Sequence, residues 1–195
     1  RYIYEYSLEQ EPGFLESYEK VSELFTRLQQ KFVDIRKRIV KFHHGTHTKL
    51  FCIPTTSGTG SEVTPYAVIT DDNTHVKYPL TDYEMTPQVA IVDPEFVMTV
   101  PKRTVAWSGL DTLSHALESY GSVMASDFTR PWSLQAIKLV FENLEKSYNY
   151  DPKNPTLEGE TARENMHYAA TLGGMTFANS LLAITHKLPH KTGGQ

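Results

Sequence analysis

The chain has 195 residues, 39% of them hydrophobic and 22% charged, with a formal net charge of −4. These proportions exclude whole-chain disorder, and the mild acidity excludes a nucleic-acid or anionic-membrane surface as the main role. The single cysteine, Cys52, excludes a disulfide framework and fits a reducing, cytoplasmic setting. No apolar run reaches the roughly 18–20 residues that span a bilayer.

In chain order, the Pro12-Gly13 pair opens a long amphipathic helix predicted over residues 14–39. Leu15, Val21, Leu24, Leu28, Phe32, Ile35 and Ile39 keep near-3.6 spacing. The trio His43, His44 and His47 follows in a polar loop, too flexible to preorganise a metal site. Lys49 to Pro54 reads as a short strand, followed by a turn rich in hydroxyls and glycine from Thr55 to Glu62. Tyr66–Thr70 and Val89–Val92 read as two more β-branched strands, with a hairpin-type turn at Asp71–Thr74.

Beyond about residue 102 the pattern becomes helical, over 104–121, 130–147 and 157–182, with Pro131 in an N1 position after Thr129 or Arg130. The expected organisation is α/β over 1–101 followed by an all-α piece over 102–195. Arg1 is not an initiating methionine, and Gln195 closely follows a histidine-bearing segment. Both ends read as cuts in a longer chain.

Two residue pairs carry candidate chemistry. Asp111 and His115 lie four apart on one predicted helix, and His186 and His190 four apart on another. An i, i+4 pair shares a helix face, with Cβ atoms roughly 5–6 Å apart, so two donors reach one cation. A carboxylate with imidazoles and no thiolate suits a borderline divalent ion such as Fe²⁺ or Zn²⁺. The same spacing also describes a surface ion pair, and a lone histidine among Leu113, Ala116 and Leu117 also describes a hydrogen-bonded core residue. His75 and His167 have no i, i+4 partner and read as ordinary. In the Thr55–Glu62 turn, Gly58 and Gly60 permit close backbone approach, and the hydroxyls and N–H groups suit phosphate or ribose oxygens. It matches neither a Walker A loop nor a G-x-G-x-x-G fingerprint, and it is equally a capped strand-to-helix turn.

Taken together, Thr55-Thr56-Ser57-Gly58-Thr59-Gly60-Ser61-Glu62-Val63-Thr64, Gly109-Leu110-Asp111-Thr112-Leu113-Ser114-His115-Ala116-Leu117-Glu118 and His186-x-x-x-His190 resemble the ordered signatures of the iron-containing (group III) alcohol dehydrogenases. Phe32–Ile39 and Lys77–Leu80 resemble the alcohol dehydrogenase half of the bifunctional acetaldehyde–alcohol dehydrogenases. The resemblance covers essentially the whole chain. It implies a Rossmann-like nucleotide-binding lobe, present in part, followed by a helical metal-binding lobe of the dehydroquinate synthase type.

It also implies Asp111, His115 and His186 as iron ligands, with zinc as the alternative metal. The fourth ligand, a histidine in a Pro-His-Gly context, lies beyond the sequence, and a Gly-Gly-Gly-Ser pyrophosphate turn precedes it. The resemblance leaves Thr55, Thr56, Thr59, Thr64 and Lys77 as contacts for NAD, and His190 as a proton relay. Pro189 removes an amide inside the His186–His190 turn, where a mid-helix proline costs roughly 3 kcal/mol, and so threatens the aim of His190.

The implied substrate is a small aldehyde or alcohol, in ethanol fermentation, and the implied assembly a homo-oligomer or filament. The isolated chain is expected to be inactive. Two readings compete with this one. A metal-dependent hydrolase needs a carboxylate base, for which Glu118 is the near candidate, and a non-catalytic helical interaction module needs none of these histidines.

Overall fold

The computed structural model describes residues 12–28, 48–70, 77–81 and 83–181. Its first helix, α1 (Tyr18–Leu28), starts four residues later than periodicity predicts. Phe14–Glu16 form a separate 3₁₀ turn, and Ser17 between the two is extended at φ −93°, ψ 104°. The Ser17 hydroxyl then accepts from the Lys20 amide at 3.4 Å. Serine competes for backbone groups in this way at a helix start, which is why the spacing of Leu15 and Val21 does not carry the helix through it. Residues 29–39 of that expectation lie outside the described residues, as do the His43–His47 loop, His75 and the Asp71–Thr74 turn.

Four short strands follow: β1 (Phe51–Cys52), β2 (Tyr66–Thr70), β3 (Lys77–Thr81) and β4 (Val89–Ala90). β1 pairs in parallel with β4, Phe51 opposite Val89 and Cys52 opposite Ala90. β2 pairs with β3 antiparallel, Tyr66 opposite Thr81 and Thr70 opposite Lys77. β3 escapes sequence reading because Pro79, opposite Val68, removes a ladder donor, a loss tolerated at a sheet edge. The run after β4 ends at Asp93, whose Oδ1 accepts from the Glu95 amide at 3.0 Å and caps the 3₁₀ turn Pro94–Val97.

Three long helices follow among the described residues: α2 (Lys102–Gly121), α3 (Thr129–Asn149) and α4 (Leu157–Ser180). α3 starts at Thr129, so Pro131 sits at the third helical position rather than the first. The ring is harmless there because that N–H has no intrahelical partner in any case. At the start of α4 the Thr156 hydroxyl accepts from the Gly159 amide at 3.2 Å, with Glu158 and Glu160 in the positive first turn.

α4 is buried on many faces by small residues, among them Ala162, Ala169, Ala170, Gly173 and Gly174. α2 and α3 therefore pack closely on it, around Val140, Met166 and Ala169 with Leu113, Leu139 and Leu144 against them. Burying a side chain the size of Met166 is worth roughly 1.5–3 kcal/mol. The link into α2 is tied down by Arg163, whose Nη1 donates to the Val97 carbonyl at 3.1 Å and Nη2 to that of Val100 at 3.2 Å. Among the described residues, no helix is long and apolar enough to cross a membrane.

Candidate metal and nucleotide site

The 3.6-residue repeat of α2 brings Asp111 and His115 together. Asp111 Oδ1 lies 3.7 Å from His115 Nε2, with the carboxylate side chain 37% exposed and the imidazole 6%. Two donors each about 2.1 Å from one metal at a near-tetrahedral angle stand roughly 3.5 Å apart, so this spacing fits a shared ion. The face of the imidazole is covered: Phe177 of α4 lies against it, ring centroids 4.5 Å apart. Phe177 in turn stacks on Tyr66 of β2 at 5.8 Å. Burial, with the charge of Tyr83 second, pushes the Tyr66 phenol up to about 12.

His186 and His190 lie outside the described residues. Among the described residues no group of three or more His, Cys, Asp and Glu side chains converges.

The Thr55–Glu62 turn lies between α2 and α4. From α2, the Thr112 hydroxyl sits 3.1–3.4 Å from the carbonyls of Ser57, Gly58 and Ser108 and donates to one at a time. From α4, His167 Nδ1 meets the Ser57 hydroxyl at 3.1 Å, and the Thr171 hydroxyl donates to Glu62 Oε1 at 2.7 Å. Gly60, at φ +61°, runs against Gly174, and a Cβ built on Gly60 would fall 2.5 Å from the Gly174 Cα. Only glycine takes both that backbone angle and that approach without strain.

Of the residues the resemblance assigns to NAD, Thr55 and Thr59 are exposed and Thr56 is half-buried. The Thr59 hydroxyl donates to Ser61 Oγ at 3.1 Å and accepts from the Ser61 amide at 3.3 Å, which stiffens the tip of the turn. Thr64 is only 3% exposed and follows the 3₁₀ turn Ser61–Val63. Lys77 opens β3 opposite Thr70, and its side chain lies outside the described residues.

Sequence reading passed over Thr112 and His167. His167 does have a polar partner, but 110 residues away in the chain. Helical spacing carries no signal for such a contact. Burial pushes its pKa below the ordinary histidine value, against smaller opposing effects of Glu62 and Asp93.

A carboxylate and an imidazole on one helix thus stand beside a glycine- and hydroxyl-rich turn that follows a parallel strand pair. Comparison with known proteins makes this specific. Residues 20–94 match the family described as iron-containing alcohol dehydrogenase, and residues 105–195 match the C-terminal part of the Fe-containing alcohol dehydrogenase family. The chain belongs to the iron-containing alcohol dehydrogenase family.

It is similar to aldehyde-alcohol dehydrogenase 2 of Entamoeba histolytica, 55% identical over 177 residues that are 90% of this chain and 19% of that protein. It is also similar to the bifunctional aldehyde-alcohol dehydrogenase AdhE of Escherichia coli K12, 50% identical over 179 residues, 91% of this chain and 20% of that one. The chain thus spans about one fifth of the length of these curated relatives.

Among solved structures, an iron-containing alcohol dehydrogenase from Thermococcus thioreducens superposes with a TM-score of 0.68 at 39% identity. The match covers 75% of this chain and 36% of that one. A 1,3-propanediol oxidoreductase gives 0.69 at 36%, covering 75% and 37%. The dehydrogenase family lends no support to the hydrolase or interaction-module readings.

Proposed function

We propose that the protein containing this chain is an iron-dependent, NAD-linked alcohol dehydrogenase that reduces short aldehydes, acetaldehyde foremost, to the primary alcohol, in a cytoplasmic setting and as a homo-oligomer or filament. The observation that carries the reading is the placement of Asp111, Thr112 and His115 within one stretch of α2. Asp111 and His115 present a 3.7 Å carboxylate–imidazole pair, while Thr112 fixes the adjoining turn at 3.2 Å from the Ser57 carbonyl.

In this reading Asp111, His115 and His186 hold the metal, with zinc as the alternative to iron. When bound, the metal supplies Lewis acidity toward the aldehyde oxygen and NADH supplies the hydride. The remaining work falls to the chain. Thr55, Thr56 and Thr59, with the N–H groups of the Gly58–Gly60 stretch, bind ribose and phosphate oxygens, and Lys77 adds a positive contact. Phe177 fixes the plane of the His115 ring, and together they keep water from one wall of the site. His190 passes a proton from a ring nitrogen to the product oxygen, restoring the neutral alcohol.

The test is His115→Ala in the full-length protein. Acetaldehyde-dependent NADH oxidation is expected to fall by more than the roughly 10–100-fold that loss of an outer-shell partner costs, and bound iron to fall in elemental analysis. Retention of both activity and metal would remove the assignment.

A further inference from the structure

We propose that His167, assisted by Thr171 one turn later on α4, is a positioning residue that holds the Ser57–Glu62 turn in the shape that binds the nucleotide. This rests on the reading of that turn as the cofactor site.

His167 is 1% exposed, and its Nε2 has no hydrogen-bond partner among the described residues. A proton on Nε2 would bury an orphaned donor, whereas an unpaired acceptor there is the less costly arrangement. The proton therefore belongs on Nδ1, which donates to the Ser57 hydroxyl across 3.1 Å. The Ser57 oxygen then serves as acceptor from α4, which ties the start of the turn to that helix.

Thr171 has the matching task at the far end, donating to the Glu62 carboxylate at 2.7 Å. Glu62 is itself only 3% exposed. Between these two anchors the Gly60–Gly174 approach leaves no room for sliding. Residues 167, 171 and 174 fall at i, i+4 and i+7, one face of α4, so a single rigid helix sets both ends and the middle of the turn. Neither anchoring side chain need touch the cofactor. Their effect passes through Ser57 and Glu62.

The experiment uses the full-length protein with His167→Leu, Ser57→Ala, their combination, and His167→Asn, whose side-chain amide places a donor near the position of Nδ1. Losing one such bond is worth roughly three- to tenfold in affinity. NADH KM and the NADH dissociation constant, read by fluorescence titration, should rise by about that factor in His167→Leu. The kcat for saturating NADH and the iron content should stay within about twofold, less than one hydrogen bond is worth. Ser57→Ala should show a similar rise, the double variant should add little to either single one, and His167→Asn should recover most of the loss.

An unchanged NADH dissociation constant in Ser57→Ala or His167→Leu overturns the proposal. So does a parallel fall in kcat, iron and melting temperature that His167→Asn does not relieve, because that pattern belongs to a purely structural histidine. Thr59→Val separates the two levels. If it too leaves NADH binding unchanged, the nucleotide reading of the turn fails. If it weakens binding while the His167 variants do not, only the positioning role falls.

Discussion

Gly60→Ala tests the docking of the turn on α4 most directly. Gly60 has φ +61°, a left-handed conformation that costs an L residue with a Cβ roughly 1–2 kcal/mol. The new methyl would stand 2.5 Å from the Gly174 Cα and 3.0 Å from the Ala170 carbonyl oxygen, against an ordinary carbon–carbon separation of about 3.5–4 Å. Both neighbours are backbone atoms of a buried helix, so relief requires the turn and α4 to part. Overpacking of this kind adds roughly 1–3 kcal/mol, for a total near 2–5 kcal/mol.

Gly121→Ala is the internal control. A methyl added there would meet nothing within 4 Å, and the φ of Gly121 is not positive. Alanine should stabilise this position by about 0.4–1 kcal/mol through the unfolded state. Urea unfolding followed by tryptophan fluorescence measures both. With a slope of about 2 kcal/mol per molar, Gly60→Ala should lower the midpoint by roughly 1–2.5 M and Gly121→Ala should raise it slightly. A Gly60→Ala midpoint indistinguishable from that of Gly121→Ala would refute the close approach of turn and helix.

Two further outcomes follow from buried polar groups. Arg163→Met should destabilise by about 2–4 kcal/mol in the same urea assay, because it leaves the Val97 and Val100 carbonyls without their guanidinium donors at 3.1 and 3.2 Å. A loss under about 0.5 kcal/mol, the floor for one net hydrogen bond, would contradict that tie. For Tyr66 the folded phenol is pushed up to about 12 from an unfolded value near 10. The unfolded chain therefore loses this proton first, and stability present below pH 10 drains away between about pH 10 and 12, by roughly 2–3 kcal/mol in all. Tyr66→Phe should lack that part of the alkaline loss, and parallel wild-type and Tyr66→Phe profiles from about pH 9 to 11.5 would show that burial does not hold the proton.

What was legible in the sequence was what local geometry encodes. The Asp111–His115 pairing follows from helical spacing alone, and the three long helices show in their composition. The 3₁₀ turn after Asp93 has its mechanism in plain view, an acidic cap followed by proline. The contacts that were not legible are those that join distant segments. Thr112 reads as a neutral helix residue until Ser57, 55 positions earlier, is placed over it. β3 is concealed by Pro79, and the start of α1 by Ser17, because in each case a single residue overrides a hydrophobic pattern that otherwise points elsewhere. The His186–His190 pair has the same local legibility as Asp111–His115, but its place in space falls outside the described residues.

Hydride transfer between a nucleotide and a carbonyl tolerates little error in position, since an ångström of displacement can cost on the order of a hundredfold. If Asp111 and His115 hold the metal as proposed, the enzyme therefore faces the problem of keeping that pair in register with the cofactor turn. α2 meets that problem locally. Ser108, Thr112 and His115 lie at i, i+4 and i+7 along one stripe, with Asp111 beside them, and from Thr112 to His115 the helix rises only about 4.5 Å. The Gly58 backbone rests on Ser108, so closely that a Cβ added to Gly58 would fall 2.7 Å from the Ser108 Cβ. A Cβ added to Gly173 would meet Thr112 and His115 at 3.6–3.7 Å, ordinary contact distance. The spacing between carboxylate–imidazole pair and turn is thus a property of one rigid helix clasped by a second. A motion that carries α2 carries both parts of the site together.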